Sequence, residues 1–215
     1  MIVGMYMTRD PEVISPGASL SEAIHKMSRR RVRRLVVTDN DAIVGMVCHR
    51  DVVSAFPDHV NPFSPVAVAK EVASGLVKTI MKHPVVSIDH GKPIEDAARL
   101  MTERHIGCLP VTNGGRLVGI ITESDIFRVF TEVLSERADS VRITFDLTEG
   151  ENILPFLSVA GQKYDLVLSS FISFHDGDRR MAVASMRGRW VDGFVGELWT
   201  SGHRVVNVLQ TAGKM

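Results

Sequence analysis

Two short stretches place a carboxylate where a strand gives way to a helix. In Thr122-Glu123-Ser124-Asp125 a hydroxyl and a carboxylate stand three residues apart. Both residue types cap helices, because their oxygens accept from the unpaired N–H groups of a first turn. The same pair also suits a nucleotide: a carboxylate can take both hydroxyls of a ribose, while a threonine and the adjoining helix N-terminus suit a phosphate. Cys48-His49-Arg50-Asp51 repeats the spacing with a thiol in place of the hydroxyl. A thiol is a poor donor, so in that copy a ribose contact at Asp51 would be kept while a phosphate contact at Cys48 would be weakened.

The densest charge cluster is Arg29-Arg30-Arg31-Val32-Arg33-Arg34. Cations at a helix C-terminus are favoured by the dipole, which accounts for Arg29 to Arg31 as a solvated helix end. A nucleic-acid surface would need interleaved aromatics and a wider basic face, and neither is present. Lys plus Arg and Asp plus Glu both number 25, so no net field draws this chain of 215 residues to polyanions or membranes. The two cysteines, Cys48 and Cys108, are too few for a disulfide framework and lack metal-ligand spacing, which fits a reducing compartment. The eight histidines form no HExxH or paired metal site, and no Walker-A or Rossmann glycine string occurs. These readings predict no catalytic residue, no metal, no obligatory cofactor and no nucleic-acid partner. The start lacks a basic n-region and a long h-region, and no stretch reaches the roughly 18 apolar residues of a membrane span. A cytoplasmic protein is expected.

The elements that must position these groups come in two copies. The chain matches itself at an offset of 74 residues, setting Met7 on Met81, Ala23 on Ala97, Met27 on Met101, Leu35 on Leu109, Gly45 on Gly119 and Asp51 on Asp125. In copy one, Ser19-Leu20-Ser21-Glu22 is a capping-box pattern leading into the stripe Leu20, Ala23, Ile24 and Met27. In copy two, Pro93 suits a first helical position, and Ile94, Ala97, Ala98 and Met101 repeat the stripe. Each helix is followed by two apolar runs around a turn cluster (Asp39-Asn40-Asp41; Asn113-Gly114-Gly115), which reads as a hairpin. A closing helix is expected to start at Asp51 or Asp125, with Ile126, Val129, Phe130 and Val133 as its buried face in copy two. Between the copies, Phe56 to Pro65 is rich in proline and reads as a connector. Ala67 to Ile80 has helix-compatible spacing at Val68, Val72 and Leu76.

The order strand, helix, strand, strand, helix, with Gly119-Ile120-Ile121-Thr122-Glu123-Ser124-Asp125 at the last junction, resembles a CBS domain. Residues 1 to about 135 together resemble a CBS pair. The resemblance implies a cleft that binds an adenosine ligand (AMP, ADP, ATP or an S-adenosylmethionine-like compound) as a regulatory effector. Gly107, Cys108, Pro110, Ile120, Thr122 and Asp125 would line it in copy two, with Ile120 and Pro110 near the base. Cys48 and Asp51 would form the weaker counterpart. Arg33 and Arg34 fall where the family lines the space between copies, and guanidinium groups there suit polyphosphate.

From Ser140 the pattern changes, with Val141, Ile143, Phe145 and Leu147 alternating with polar residues. Ile153, Phe156-Leu157 and Ala160 make a helical stripe. Leu166 to Phe174 and Met181 to Met186 flank the turn His175-Asp176-Gly177-Asp178. Trp190-Val191, Phe194-Val195 and Leu198-Trp199 recur every four residues, which predicts a helix whose tryptophans lie in the core or at a dimer interface. Val205 to Leu209 completes a ferredoxin-like βαββαβ series. Asp146-Leu147-Thr148-Glu149-Gly150-Glu151 resembles the strand-to-helix loop of ACT domains, which implies an amino-acid effector. A CBS pair followed by an ACT-like domain also resembles the layout of acetoin-utilisation AcuB-type proteins, and with it an accessory role in acetoin metabolism.

The expected fold class is therefore α/β (α+β). The first CBS domain spans 1–60, a connector 61–80, the second CBS domain 81–136 and the ACT-like domain 139–215. The expected function is that of a non-enzymatic ligand sensor acting on an unidentified regulated protein. The alternative makes the CBS pair an oligomerisation scaffold. An open sheet face and two dimerising surfaces predict a homodimer.

Overall fold

A computed structural model of the chain describes residues 1–56, 63, 75–134 and 140–211. The expected helix-compatible spacing at Val68 and Val72, and most of the connector, lie outside the described residues. The chain forms two compact units, Met1–Val129 and Phe130–Met215.

The first unit contains the two copies. In copy one, helix α2 (Leu20–Arg30) starts because Ser19 Oγ accepts from Glu22 N at 3.1 Å. It stops at Arg31, which takes the left-handed conformation (φ 54°). Its buried residues Leu20, Ala23, Ile24 and Met27 pack with Leu35, Val37 and Val47 of strands β3 (Arg34–Asp39) and β4 (Ala42–Cys48). Full burial of each large side chain contributes about 1.5–3 kcal/mol. In copy two, α4 (Ile94–Arg104) is buried through Ile94, Ala97 and Met101 against β6 (Cys108–Asn113) and β7 (Arg116–Thr122), and ends at His105, φ 52°. Pro93, expected at the first helical position, is instead the N-cap of α4, one residue before its first turn.

Each copy is completed by the lead-in segment of the other. Val3 of the short helix α1 (Val3–Tyr6) is fully buried in the core of copy two, and Tyr6 and Met7 pack beside it. Strand β1 (Thr8–Arg9) pairs with β7, setting Thr8 against Ile120 and Arg9 against Gly119. In return Val77 is buried in the core of copy one with Ile80 and Met81 against it, and Lys82 bridges Met46 of β4. The exchange explains the two matched glycines. A Cβ on Gly119 would sit 2.5 Å from Met7 Sδ, and one on Gly45 would sit 2.6 Å from Met81 Sδ. Parallel pairing of β2 (Val13–Ile14) with β3 and of β5 (Ile88–Asp89) with β6 finishes the sheets, with orders β2-β3-β4 and β1-β7-β6-β5.

The second unit is a four-stranded antiparallel sheet of order β11-β8-β10-β9, built from β8 (Ser140–Asp146), β9 (Leu166–Asp176), β10 (Arg179–Gly188) and β11 (Val205–Thr211). This is the fourth-first-third-second arrangement of the ferredoxin-like order anticipated above. Helices α6 (Leu154–Tyr164) and α7 (Val191–Leu198) cover one face through Leu157, Ala160, Val191, Phe194 and Leu198, which meet Val141, Ile143 and Phe145. Trp190 and Trp199 are not core. They flank α7 and are 64% and 60% exposed, because Val191, Phe194 and Leu198 already occupy the inward stripe. In the closing helix of copy two the expected burial of Phe130 is corrected too: it is 61% exposed while Val129 is buried, so the inward face of the closing helix is narrower than the spacing suggested. The side chain of Val133 lies outside the described residues.

Candidate functional site

Strands β6 and β7 have two chemically different faces. Leu109, Val111 and Ile121 enter the core of copy two. Strand alternation therefore puts Cys108, Pro110, Ile120 and Thr122 on the opposite face, where the ladder pairs Cys108 with Thr122 and Pro110 with Ile120. Copy one repeats this with Arg34 opposite Cys48 and Val36 opposite Met46, and β4 comes up against β7.

Asp125 stands at the edge of the copy-two face, 7% exposed, in the first turn of α5 (Glu123–Leu134). Its Oδ2 accepts from Thr122 N at 2.9 Å and from Thr122 Oγ1 at 2.7 Å. Its Oδ1 accepts from Arg128 Nη2 at 3.0 Å, and the same nitrogen donates to the Tyr6 carbonyl at 3.1 Å. The capping role is thus realised here, and it fixes the carboxylate at the mouth of the face. The closing helices begin at His49 and Glu123, two residues before the expected Asp51 and Asp125. A carboxylate that reaches back to the N–H preceding a helix must itself sit within the first turn.

In copy one, within α3 (His49–Ser54), Asp51 Oδ2 accepts from Cys48 N at 2.8 Å and Lys82 Nζ lies 3.4 Å from Oδ1. Among the described residues no hydroxyl donates to that carboxylate. Burial, and then the hydrogen-bonded Asp51 carboxylate, raise the Cys48 thiol above its ordinary range. Burial pushes Cys108 up to about 11, with the positive charge of Arg34 offsetting part of the effect. Both thiols are therefore protonated at neutral pH and unsuited to nucleophilic attack.

The two copies meet closely at Gly107. Its carbonyl accepts from Glu123 N at 3.2 Å. A Cβ there would lie 2.9 Å from Glu123 Oε2 and 3.0 Å from Arg34 Nη2. The structure therefore gathers Gly107, Cys108, Pro110, Ile120, Thr122 and Asp125 of copy two with Arg34 of copy one, while Cys48 and Asp51 make the matching arrangement at the first junction. Arg33 is exposed, and its backbone carbonyl engages the site by accepting from His49 N at 2.8 Å. Sequence reasoning passed over Glu123, Arg128 and Lys82. Glu123 lay inside the quoted motif, and Arg128 lay one turn beyond Asp125. Lys82 becomes visible only once the exchanged lead-in segments are known. Among the described residues no group of His, Cys, Asp and Glu could hold a metal ion, and no helix is long and apolar enough to cross a membrane.

The profile of the CBS domain matches residues 3–58 and 77–132. The uncharacterized protein MJ1225 of Methanocaldococcus jannaschii is 30% identical over 131 residues, covering 60% of this chain and 47% of that protein, so the chain matches about half of that relative's length. The crystal structure of a protein assigned to acetoin utilization (AcuB) from Vibrio cholerae is similar with a TM-score of 0.52 at 25% identity, covering 71% of this chain and 98% of that one. The crystal structure of CBSX2 in complex with AMP gives a TM-score of 0.50 at 26% identity, covering 61% of this chain and 97% of that one.

Proposed function

The chain belongs to the CBS domain family, and from that premise we propose that its tandem pair, 1–60 and 81–136, senses an adenosine nucleotide in the cleft headed by Asp125. The observation that carries this reading is the capped Asp125 carboxylate, held by both donors of Thr122 beside a face formed by half-buried Cys108 and buried Pro110 and Ile120. A carboxylate already oriented by its own backbone loses little freedom on meeting a ribose, so less of the interaction is spent on ordering it. Pro110 and Ile120 would bound the base, Thr122 and Arg34 would face the 5′ substituent, and Gly107 and Cys108 would form the floor. The AMP bound to CBSX2 supports an adenosine ligand. Cys48 and Asp51, with Arg33 nearby, would form a second, weaker site. The protein acts through ligand-dependent regulation of another protein and not through catalysis, in the cytoplasm and as a homodimer. Ligand energy would shift the presentation of the C-terminal domain only through unequal contacts with two arrangements.

Isothermal titration calorimetry with AMP tests the cleft. Asp125→Ala is expected to weaken binding about 10- to 100-fold, the loss of charge-assisted hydrogen bonds worth about 1.5–3 kcal/mol. Unchanged affinity in a folded variant would remove the assignment. Sedimentation of the intact protein at micromolar concentration tests the assembly, and a monomer would end it.

A second reading, with the pair as scaffold and the C-terminal domain as an ACT-like amino-acid sensor, draws on one observation. Gly150 adopts φ 85° in the loop after β8, flanked by Glu149 paired with Arg204 and Glu151 paired with His203. Titration with amino acids separates the two readings. An accessory role in acetoin metabolism draws on the likeness to the Vibrio cholerae protein.

A further inference from the structure

Copy one carries a charged surface that its duplicate lacks. Arg29, Arg31, Arg33 and Arg50 are all exposed, and at the matching positions copy two has Glu103, His105, Gly107 and Ser124. The repeat therefore folds without any of the four. Both α2 and α4 end in the left-handed conformation, and α4 does so with Arg104 as the sole cation of its last turn, so the helix dipole does not call for the rest. The nearby carboxylates are engaged elsewhere. Glu12 lies 3.0 Å from Arg30 and 3.6 Å from Lys26, and Asp51 accepts from Cys48 N and faces Lys82. Among the described residues the side chains of Arg29, Arg31, Arg33 and Arg50 have no hydrogen bond and no ion pair within 4.0 Å.

The four form one ridge. Arg29 to Arg33 run through the turn that leaves α2, and the Arg33 carbonyl accepts from His49 N at 2.8 Å, which brings Arg50 of α3 alongside. The turn is stiff: Arg31 N donates to the Ser28 carbonyl at 3.3 Å, Val32 N donates to the Met27 carbonyl at 3.0 Å, and Val32 packs against the core of copy one. Like charges fixed this close repel one another, and a partner of opposite sign relieves that repulsion. We propose that this ridge docks an acidic segment, rich in Asp and Glu, of a partner protein. All four positions are arginine and none is lysine. A guanidinium fork takes a carboxylate in two parallel hydrogen bonds, and a backbone already held in place spends little of that interaction on ordering. A nucleic acid would need a longer basic track with rings free to stack on bases. Here the adjoining rings, His49 and Phe63, are stacked on each other at 4.1 Å, and Glu12 and Asp51 bound the ridge. The surface lies in copy one, apart from Asp125, and goes beyond the nucleotide reading.

Fluorescence anisotropy of a labelled oligoglutamate peptide with the full-length protein tests the ridge. The wild type should bind the peptide, and Arg29→Gln, Arg31→Gln, Arg33→Gln and Arg50→Gln combined should lower the affinity at least about 10-fold. Removing the same charge elsewhere, by Arg104→Gln, Arg116→Gln, Arg187→Gln and Arg189→Gln combined, should change it by less than about twofold. Lysine at the four ridge positions keeps the charge but loses the fork, and should weaken the peptide about threefold. Circular dichroism melts identify a variant that fails to fold. In that event the paired variants Arg29→Gln with Arg31→Gln and Arg33→Gln with Arg50→Gln decide, each with an expected loss of about threefold. No binding by the wild type, or equal losses in the ridge and control variants, would overturn the docking surface. Tighter binding of an oligouridylate that depends on the same four arginines would overturn the acidic partner in favour of a nucleic acid.

Discussion

The two clefts are built by the same repeat and differ at six corresponding positions. Where the second has Gly107, Cys108, Pro110, Ile120, Thr122 and Glu123, the first has Arg33, Arg34, Val36, Met46, Cys48 and His49. Asp51 and Asp125 are retained and each accepts from the backbone N–H preceding its helix, at 2.8 and 2.9 Å. The hydroxyl of Thr122 adds a second donor at 2.7 Å, and Arg128 grips the other oxygen. Asp51 has Lys82 at 3.4 Å instead, a long and mostly exposed cation. Surface pairs of that kind contribute about 0–1 kcal/mol. Duplication preserves the helix cap because folding requires it in both copies. The donors around the cap are not needed for it and have diverged.

The largest expected effect separates the two aspartates. Asp125→Ala should reduce AMP affinity about 10- to 100-fold, whereas Asp51→Ala should change the tighter site by less than about threefold. Calorimetry of both variants checks it, and equal losses would mean that one ligand spans both junctions.

The exchanged lead-in segments offer the next test. Alanine at Gly119 meets the Met7 sulfur at 2.5 Å and also the Thr8 carbonyl at 2.9 Å. Alanine at Gly45 meets atoms of the Met81 side chain, which can swing away. Gly119→Ala should destabilise the pair by about 1–3 kcal/mol and Gly45→Ala by clearly less. Urea denaturation with unchanged slope reads the difference, and a more damaging Gly45→Ala would contradict the packing described.

Cys108 gives a pH signature. Its folded pKa, about 11, lies above the ordinary 9.0 because burial disfavours the thiolate. Folding thus favours the protonated thiol, and that contribution is complete below pH 9 and lost as the pH rises towards 11. Its size is on the order of 2 kcal/mol. Melting temperatures of wild type and Cys108→Ala across that window should converge as the pH rises. Parallel curves would show that Cys108 is not desolvated as described.

The smallest effect concerns Cys48→Thr. A hydroxyl there would give Asp51 the second donor that Asp125 already has, a gain of about 1 kcal/mol. If the thiol is the defect, the weak site should tighten about fivefold. No change would place the obstacle at Arg33 or at the His49–Phe63 stack.

Much of this molecule could be read from the chain alone. The 74-residue offset, the stripes at Leu20 to Met27 and Ile94 to Met101, and the alternation after Ser140 give the CBS copies and the βαββαβ order, because helix and strand periodicities are local properties of sequence. Thr122 with Asp125, and Cys48 with Asp51, were legible for the same reason: capping acts over three residues. The partnership of Met7 with Gly119 and of Lys82 with Asp51 was not, since it depends on each copy's lead-in crossing to the other. Trp190 and Trp199 obeyed the helical period yet were left outside, because Val191, Phe194 and Leu198 had filled the inward stripe. The meeting of Arg34 and Glu123 over Gly107 joins residues almost 90 positions apart. No periodicity reports such a distance; only the packing of one sheet against its duplicate brings those two charges to the same place.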